Sequence, residues 1–300
     1  MKKRRYYWII LSVILIALIV GGGFLLFQYR PKTLIPHDLE IDFLDVGQGD
    51  AILIITPAGK NILIDGGPDT TVIKKLNIFL KNKSQIIDLM ILTHPHADHI
   101  NGLIEVLKYY SVKKVIATTV NYQNGSWHYF LEEIAKERIP LSQINTPENV
   151  LLETNCNFNI LAPLNPLFLE TQKKLNNTSI VGRLDCQGLK VLFTGDAEKE
   201  LETALLKAYP PAELQAMILK VGHHGSATAS TLQFLQAVNP QTAIIEVGNG
   251  NKYGFPIPIT LSKLQKIGAT IYRTDLNGDI QIINKNRLKV EIKAWGQVGD

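Results

Sequence analysis

Three imidazoles and a carboxylate crowd into Thr93-His94-Pro95-His96-Ala97-Asp98-His99, a donor set suited to divalent cations. His94 and His96 alternate, so in extended backbone their side chains leave on the same side and can aim at one point. Asp98 and His99 then open a helix and can aim at a second point close by. Two points with nitrogen and oxygen donors, each short of a full coordination shell, describe a two-metal hydrolytic centre. The alternative is a polar loop with incidental histidines. Five of the seven histidines fall in this motif or in His223-His224, which argues against chance.

The elements that must position this cluster are legible as short apolar runs alternating with helical patterns. Strands are expected over 39–45, 51–56, 61–65, 89–93 and 114–118, with helices over 72–82, 100–110 and 126–136. The second half repeats the logic, with strands over 157–161, 180–185, 190–194, 216–221 and 242–247. Its helices fall over 197–208, 230–237 and 259–267, and strands over 279–283 and 288–293 close the chain. Two matching halves of mixed strands and helices argue for an α/β layered sandwich, sheets inside and helices outside. Asp196 ends one apolar strand after Gly195, which lets the backbone approach a crowded site, and His223-His224-Gly225-Ser226 ends another.

The spacing HxHxDH resembles the signature of the metallo-β-lactamase superfamily. One branch also opens like Asp45-Val46-Gly47-Gln48-Gly49-Asp50, followed by Asp65-Gly66-Gly67, Asn176-Asn177-Thr178-Ser179, Thr194-Gly195-Asp196 and Val221-Gly222-His223-His224-Gly225-Ser226. That branch is the hydrolase domain of ComEC-type competence proteins, whose proposed substrate is DNA. The resemblance spans residues 38–295 and implies a four-layer αββα sandwich with its metal centre at one edge, between the sheets. It implies two divalent ions, Zn or Mn, with His94, His96 and Asp196 around one and Asp98, His99, Asp196 and His223 around the other. Asp98 would also orient the attacking water. His224 would donate a proton, bind substrate or brace His223, and Asn177, Ser179, Lys220 and Ser226 are candidate substrate contacts. Asp45, Asp50 and Asp65 would shape loops or orient the histidines.

Two departures from the family pattern stand out. Many superfamily hydrolases carry a further His where this chain has Asn176-Asn177-Thr178-Ser179, and an amide suits a harder ion such as Mn better than Zn. The branch reads Tyr-Gly-His-Pro where this chain has Tyr253-Gly254-Phe255-Pro256, and Phe255 can neither ligate nor donate a proton.

Placement follows from the N-terminal residues. Segment 8–27 holds no charged residue and is long enough to span a bilayer. Lys2, Lys3, Arg4 and Arg5 precede it, so the positive-inside rule keeps the N-terminus cytoplasmic and exports the rest. A cleaved signal peptide is the alternative; no A-x-A site follows, although Gly21-Gly22-Gly23 is small enough for one. The expected organisation is an anchor over 1–30, a tether over 31–37 and a hydrolase domain over 38–300. The formal net charge of +4 is smaller than the six cations Lys2, Lys3, Arg4, Arg5, Arg30 and Lys32, so the exported part carries −2. The basic balance therefore reports topology, and nucleic-acid binding would need a local patch from Lys113, Lys114, Arg183, Lys220 or Lys252. Cys156 and Cys186 would meet if 157–161 and 180–185 pair antiparallel, and a disulfide is expected there.

Three functions fit. An anchored extracytoplasmic phosphodiesterase acting on DNA leads. A cell-surface hydrolase of another ester, of phosphorylcholine esterase, lactonase or β-lactamase type, follows, and a metal-binding module without turnover is third. No protein partner is inferable.

Overall fold

The computed structural model describes residues 38–80, 85–120, 122–164, 174–285 and 289–295. The expected anchor over 8–27 and the tether lie outside these residues. Among the described residues no helix is long and apolar enough to cross a membrane.

The first half contains β1 (Leu39–Phe43), β2 (Ile52–Ile55), β3 (Asn61–Ile64), β4 (Ile86–Ile87), β5 (Leu89–Leu92), β6 (Ser111–Val112), β7 (Val115–Thr118) and β8 (Leu141–Ile144). Its helices are α1 (Thr71–Phe79), α2 (Ala97–Tyr109) and α3 (Gly125–Lys136). The second half contains β9 (Glu148–Glu153), β10 (Cys156–Ala162), β11 (Val181–Cys186), β12 (Leu189–Phe193), β13 (Ile218–Lys220), β14 (Thr242–Ile245) and β15 (Thr270–Arg273). With it come α4 (Lys199–Ala208), α5 (Pro211–Leu214), α6 (Leu232–Val238), α7 (Pro258–Lys266) and α8 (Thr274–Asn277), before β16 (Ile280–Lys285) and β17 (Lys289–Ala294).

One sheet runs β17-β16-β1-β2-β3-β5-β7-β8 and the other β15-β14-β13-β12-β11-β10-β9, while β4 and β6 pair separately. Each sheet has a parallel half, β3-β5-β7-β8 in one and β12-β13-β14-β15 in the other. The rest of each sheet is antiparallel.

Alternation of side chains divides the apolar residues of each strand between two layers. In β2, β3 and β5, Ile52, Ile54, Ile62, Ile64, Leu89 and Ile91 face the opposite sheet, where they meet Phe158, Leu184, Val191, Phe193 and Ile218. Their neighbours Leu53, Leu63, Met90 and Leu92 face outward against α1, α2 and α3. The second sheet does the same: Leu192, Leu219, Ala243 and Ile245 pack under α4, α6 and α7. Three apolar layers between two sheets and two sets of helices make the αββα sandwich. Phe43, Phe193 and Phe158 stack in its middle layer, with successive centroids 6.2 and 6.0 Å apart.

Cys156 lies opposite Cys186 across β10 and β11, and the two are bridged, as expected. The expected strands and helices all appear, shifted by a few residues at their ends. Strands β4, β6, β8, β9 and β15 fall outside the expected set: they are two residues long or mix apolar with polar, partly exposed residues, so no run of buried side chains marks them.

Two glycines set the helix that matters most. Gly66 donates its N–H to the His99 carbonyl (2.8 Å), and Gly102 donates to the Gly67 carbonyl (2.9 Å). A Cβ on either would collide with the other's backbone, so only glycine lets the first turn of α2 press onto the loop after β3.

A candidate two-metal centre

The parallel strands deliver the functional side chains to one edge of the sandwich. His94 and His96 follow β5, Asp98 and His99 lie in the first turn of α2, Asp196 follows β12, and His223 and His224 follow β13. His94, His96 and Asp196 bring donor atoms within 4.8 Å of one another, and so do Asp98, His99 and His224. The Asp196 carboxylate stands between the groups: its Oδ2 lies 3.7 Å from His94 Nε2 and 3.4 Å from His99 Nε2, and its Oδ1 lies 3.7 Å from His224 Nε2. Asp50 forms a third group with His99 and Asp196.

Each buried histidine is held by one ring nitrogen so that the other is presented to the centre. His99 Nδ1 donates to Asp65 Oδ2 at 2.8 Å. His224 Nδ1 donates to the Glu246 carbonyl at 2.9 Å and lies 3.3 Å from Asp50 Oδ1. His94 Nδ1 faces Thr93 Oγ1 (3.2 Å) and Ser179 Oγ (3.5 Å), which leaves its Nε2 3.0 Å from His96 Nδ1. Asp65 takes a left-handed backbone (φ 56°) and accepts from both the N–H and the hydroxyl of Thr93, tying the end of β5 to His99. Asp45 has no such contact; it accepts from Gly47 N and shapes the turn.

The electrostatics are those of a carboxylate cage. Burial alone would lower the His224 pKa, but Asp196, Asp50 and Asp98 outweigh it and raise it to about 10. Against the same burial penalty, Asp196, Asp65 and Asp98 push His99 well above the ordinary imidazole range. His94 is lowered well below it, by burial first and by the neighbouring His99. Asp196 pays a desolvation penalty too, yet His224, His99 and His94 hold it well below the usual carboxylate range.

The donor set fits divalent cations. Asp50 Oδ1, Asp196 Oδ1, His99 Nε2 and His224 Nε2 are buried and have no hydrogen-bond partner. Unsatisfied buried polar atoms are costly, and these converge on the same space, where cations would satisfy them together.

The grouping corrects one expectation. His224, not His223, joins Asp98 and His99. Both histidines take left-handed backbone (φ 49° and 52°) in the turn Gly222–Gly225, which drives the His224 ring inward and leaves the His223 side chain 21 % exposed at the mouth. His223 Nε2 is still 3.9 Å from Asp196 Oδ2, while its Nδ1 lies 3.3 Å from Glu198 Oε1 and 3.2 Å from Thr228 Oγ1. The hydrogen bond from His223 holds Glu198 down at about 2.

The four expected substrate contacts also move. Asn177, Ser179, Lys220 and Ser226 are all 5 % exposed or less. Asn177 accepts from the Glu198 N–H and donates to Glu200, bracing the start of α4. Ser179 accepts from the Asp196 N–H and donates to the Asn176 carbonyl. Lys220 is buried against Asp50 and donates to the Gly195 carbonyl at 3.0 Å. Ser226 Oγ is engaged by Thr228, at 3.1 Å from its hydroxyl. Their hydrogen bonds brace the centre and the loops around it.

Asn176 reaches the His223 ring at 3.4 Å and Glu198 at 3.2 Å. Phe255 packs edge-on against His223, centroids 5.6 Å apart. Glu198 and Glu246 were not anticipated. Glu198 reads in sequence as one of several acidic residues opening a helix. Glu246 had a signal: like Lys220, it is a charged residue ending an apolar strand run, which burial makes expensive without a partner.

Comparison with known proteins agrees with this geometry. The sequence pattern of the Metallo-beta-lactamase superfamily matches residues 44–248, and the chain belongs to that superfamily. Its relatives place it with the ComEC-type branch. It is 32 % identical over 282 residues to ComE operon protein 3 of Bacillus subtilis (strain 168), covering 88 % of this chain and 35 % of that protein. It is 27 % identical over 277 residues to competence protein ComA of Neisseria gonorrhoeae, covering 89 % of this chain and 36 % of that one. The chain thus spans about a third of the length of these relatives. Among solved structures it is similar to CmlA, a diiron β-hydroxylase from Streptomyces venezuelae, with a TM-score of 0.55 and 13 % identity, covering 83 % of this chain and 54 % of that one. At that identity the likeness speaks for the fold alone. The chain is a superfamily metal-dependent hydrolase related to competence proteins.

Proposed function

We propose that this hydrolase is a phosphodiesterase acting on DNA, carried outside a membrane by the apolar segment 8–27. The observation that carries the reading is the single buried carboxylate of Asp196 between two donor groups, with the His223–Glu198 pair at the open mouth beside it. His94, His96 and Asp196 would hold one divalent ion, Zn or Mn, and Asp98, His99, His224 and Asp196 the other. Such a pair of ions supplies Lewis acidity to a phosphoryl oxygen and brings the pKa of water toward neutrality.

The chain's own residues do the rest. Asp98, whose side chain is 30 % exposed and 3.4 Å from His224 Nε2, faces both the centre and the cleft and orients what binds there. His223 is placed to give a proton to a departing oxygen: Glu198 and Thr228 fix Nδ1, and Nε2 lies 3.9 Å from Asp196 Oδ2. Glu198, 3.3 Å from Nδ1, holds the His223 ring in place. The relation to competence proteins supports DNA as substrate, and the Cys156–Cys186 bridge supports an oxidising compartment.

A second reading, hydrolysis of a different surface ester, draws on the −2 charge of the part beyond residue 37 and on Phe255. The purified chain, loaded with Mn or Zn, should be offered single- and double-stranded DNA, bis-p-nitrophenyl phosphate, a phosphorylcholine ester and a chromogenic β-lactam. Cleavage of DNA and the generic diester is expected. Cleavage of the diester without DNA, or of the choline ester alone, would replace the nuclease by the second reading. No turnover with both ions bound would leave a binding module.

A further inference from the structure

A cleft of about 370 Å³ opens beside Asp98, lined by Gln48, Pro68, Ala97, Asn251, Lys252 and Tyr253. Tyr253 is 52 % exposed, and apart from Phe255 the contact over its ring is the flexible Lys252 side chain. Its inner face stacks on Phe255 (centroids 5.5 Å apart, planes 18° apart), and Phe255 in turn abuts His223. Two parallel rings therefore lead from solvent to the mouth of the centre. The loop that carries them is preformed: Asn251 Oδ1 accepts from the N–H groups of Tyr253 and Phe255, and its Nδ2 donates to the carbonyls of Gly248 and Phe255. Gly248 is fastened to Gln48 across the cleft.

Charge selects the occupant. The Lys252 ammonium lies 5.2 Å from the centre of the Tyr253 ring. A cation already over that ring opposes a quaternary ammonium such as choline, which the aromatic pair alone would attract. It favours instead a flat, uncharged π-system joined to an anionic backbone.

Resting on the phosphodiesterase reading above, we propose that Tyr253, backed by Phe255 and flanked by Lys252, is the stacking platform for one unpaired nucleobase next to the scissile phosphate. The site thereby selects single-stranded nucleic acid, because a base in a duplex has both faces covered by its neighbours. Stacking on an exposed aromatic is tolerant of sequence, so the platform positions the strand without reading it. Phe255 gives up the polar chemistry of an imidazole and supplies the second ring of the stack.

The test measures binding of the metal-loaded full chain to a short phosphorothioate single strand and to an abasic strand with the same backbone. Fluorescence anisotropy is the readout, and cleavage of the corresponding phosphodiester strands is followed alongside. Tyr253→Ala should weaken binding of the base-containing strand about tenfold and leave the abasic strand unchanged; Tyr253→Phe should restore it. Lys252→Ala should weaken both strands and reduce the salt dependence. Equal loss for both strands in Tyr253→Ala, or a change within twofold, overturns the platform. So does Tyr253-dependent binding of a choline phosphodiester in preference to DNA. Tyr253-dependent binding without cleavage sinks the nuclease reading and keeps the platform; cleavage indifferent to Tyr253 does the reverse.

Discussion

The floor and the rim of the centre are built differently. On the floor, Asp65, Asp50, Lys220, Glu246 and Ser179 are buried, and each contacts a histidine or carboxylate of the centre or the residue beside it. At the rim, His223, Glu198, Tyr253 and Phe255 are at least partly accessible. On the proposed reading the floor would fix where cations bind, and the rim would decide what is brought to them and where a proton goes. Changes to the floor should therefore act through metal affinity, and changes to the rim through turnover or substrate choice with the metals retained.

Asp196 belongs to both regions, so its removal should have the largest effect. Asp196→Ala is expected to lose turnover by at least about a thousandfold together with its metal, measured by diester hydrolysis and metal content. His223→Ala should lower kcat about a hundredfold with metal content unchanged, whereas His224→Ala should lose bound metal. The opposite pattern would erase the distinction between floor and rim. Asp65→Asn should weaken metal binding by roughly 10–100-fold through the freed His99 ring, readable by competition with a chelator. Unchanged affinity would show that the floor does not tune the ligands.

The cage also makes metal binding pH-dependent. His224 is raised to about 10, so near neutrality it carries a proton that a cation must displace. Metal affinity should rise as pH rises toward that value, with proton release detectable by calorimetry in buffers of different ionisation enthalpy. In the metal-free protein the raised pKa adds stability that is complete below about 6.5 and lost as pH climbs through about 10. Its Tm should fall over that interval, and loading should remove this contribution. The smallest expected effect on activity lies farthest from the centre: Cys156→Ser should cost about 3 kcal/mol of stability and leave kcat unaltered, checked by denaturant unfolding of the oxidised and variant proteins.

The strands and the ligand cluster were legible in the sequence. Short, nearly unbroken apolar runs mark β3, β5 and β12 as interior strands, and the HxHxDH spacing places its side chains at the end of β5 and the start of α2. The disulfide followed from pairing β10 with β11. The rim was less legible because it depends on backbone conformation that residue identity does not announce. His223-His224 gives no sign that two consecutive left-handed residues, each unfavourable for a side chain with a Cβ, send the second ring inward and the first outward. Lys220 read as a surface cation, because a lysine at a strand end is ordinarily solvated; only the tertiary placement of Asp50 makes its burial tolerable. Edge strands such as β9 lacked the unbroken buried run that marks the interior ones.

Anomalous diffraction from crystals of the protein loaded with Mn or Zn tests the central claim most directly. Two peaks are predicted, one between His94, His96 and Asp196 and the other against Asp98, His99 and His224, with Asp196 touching both. A single peak, or a second one held by His223 in place of His224, would contradict it.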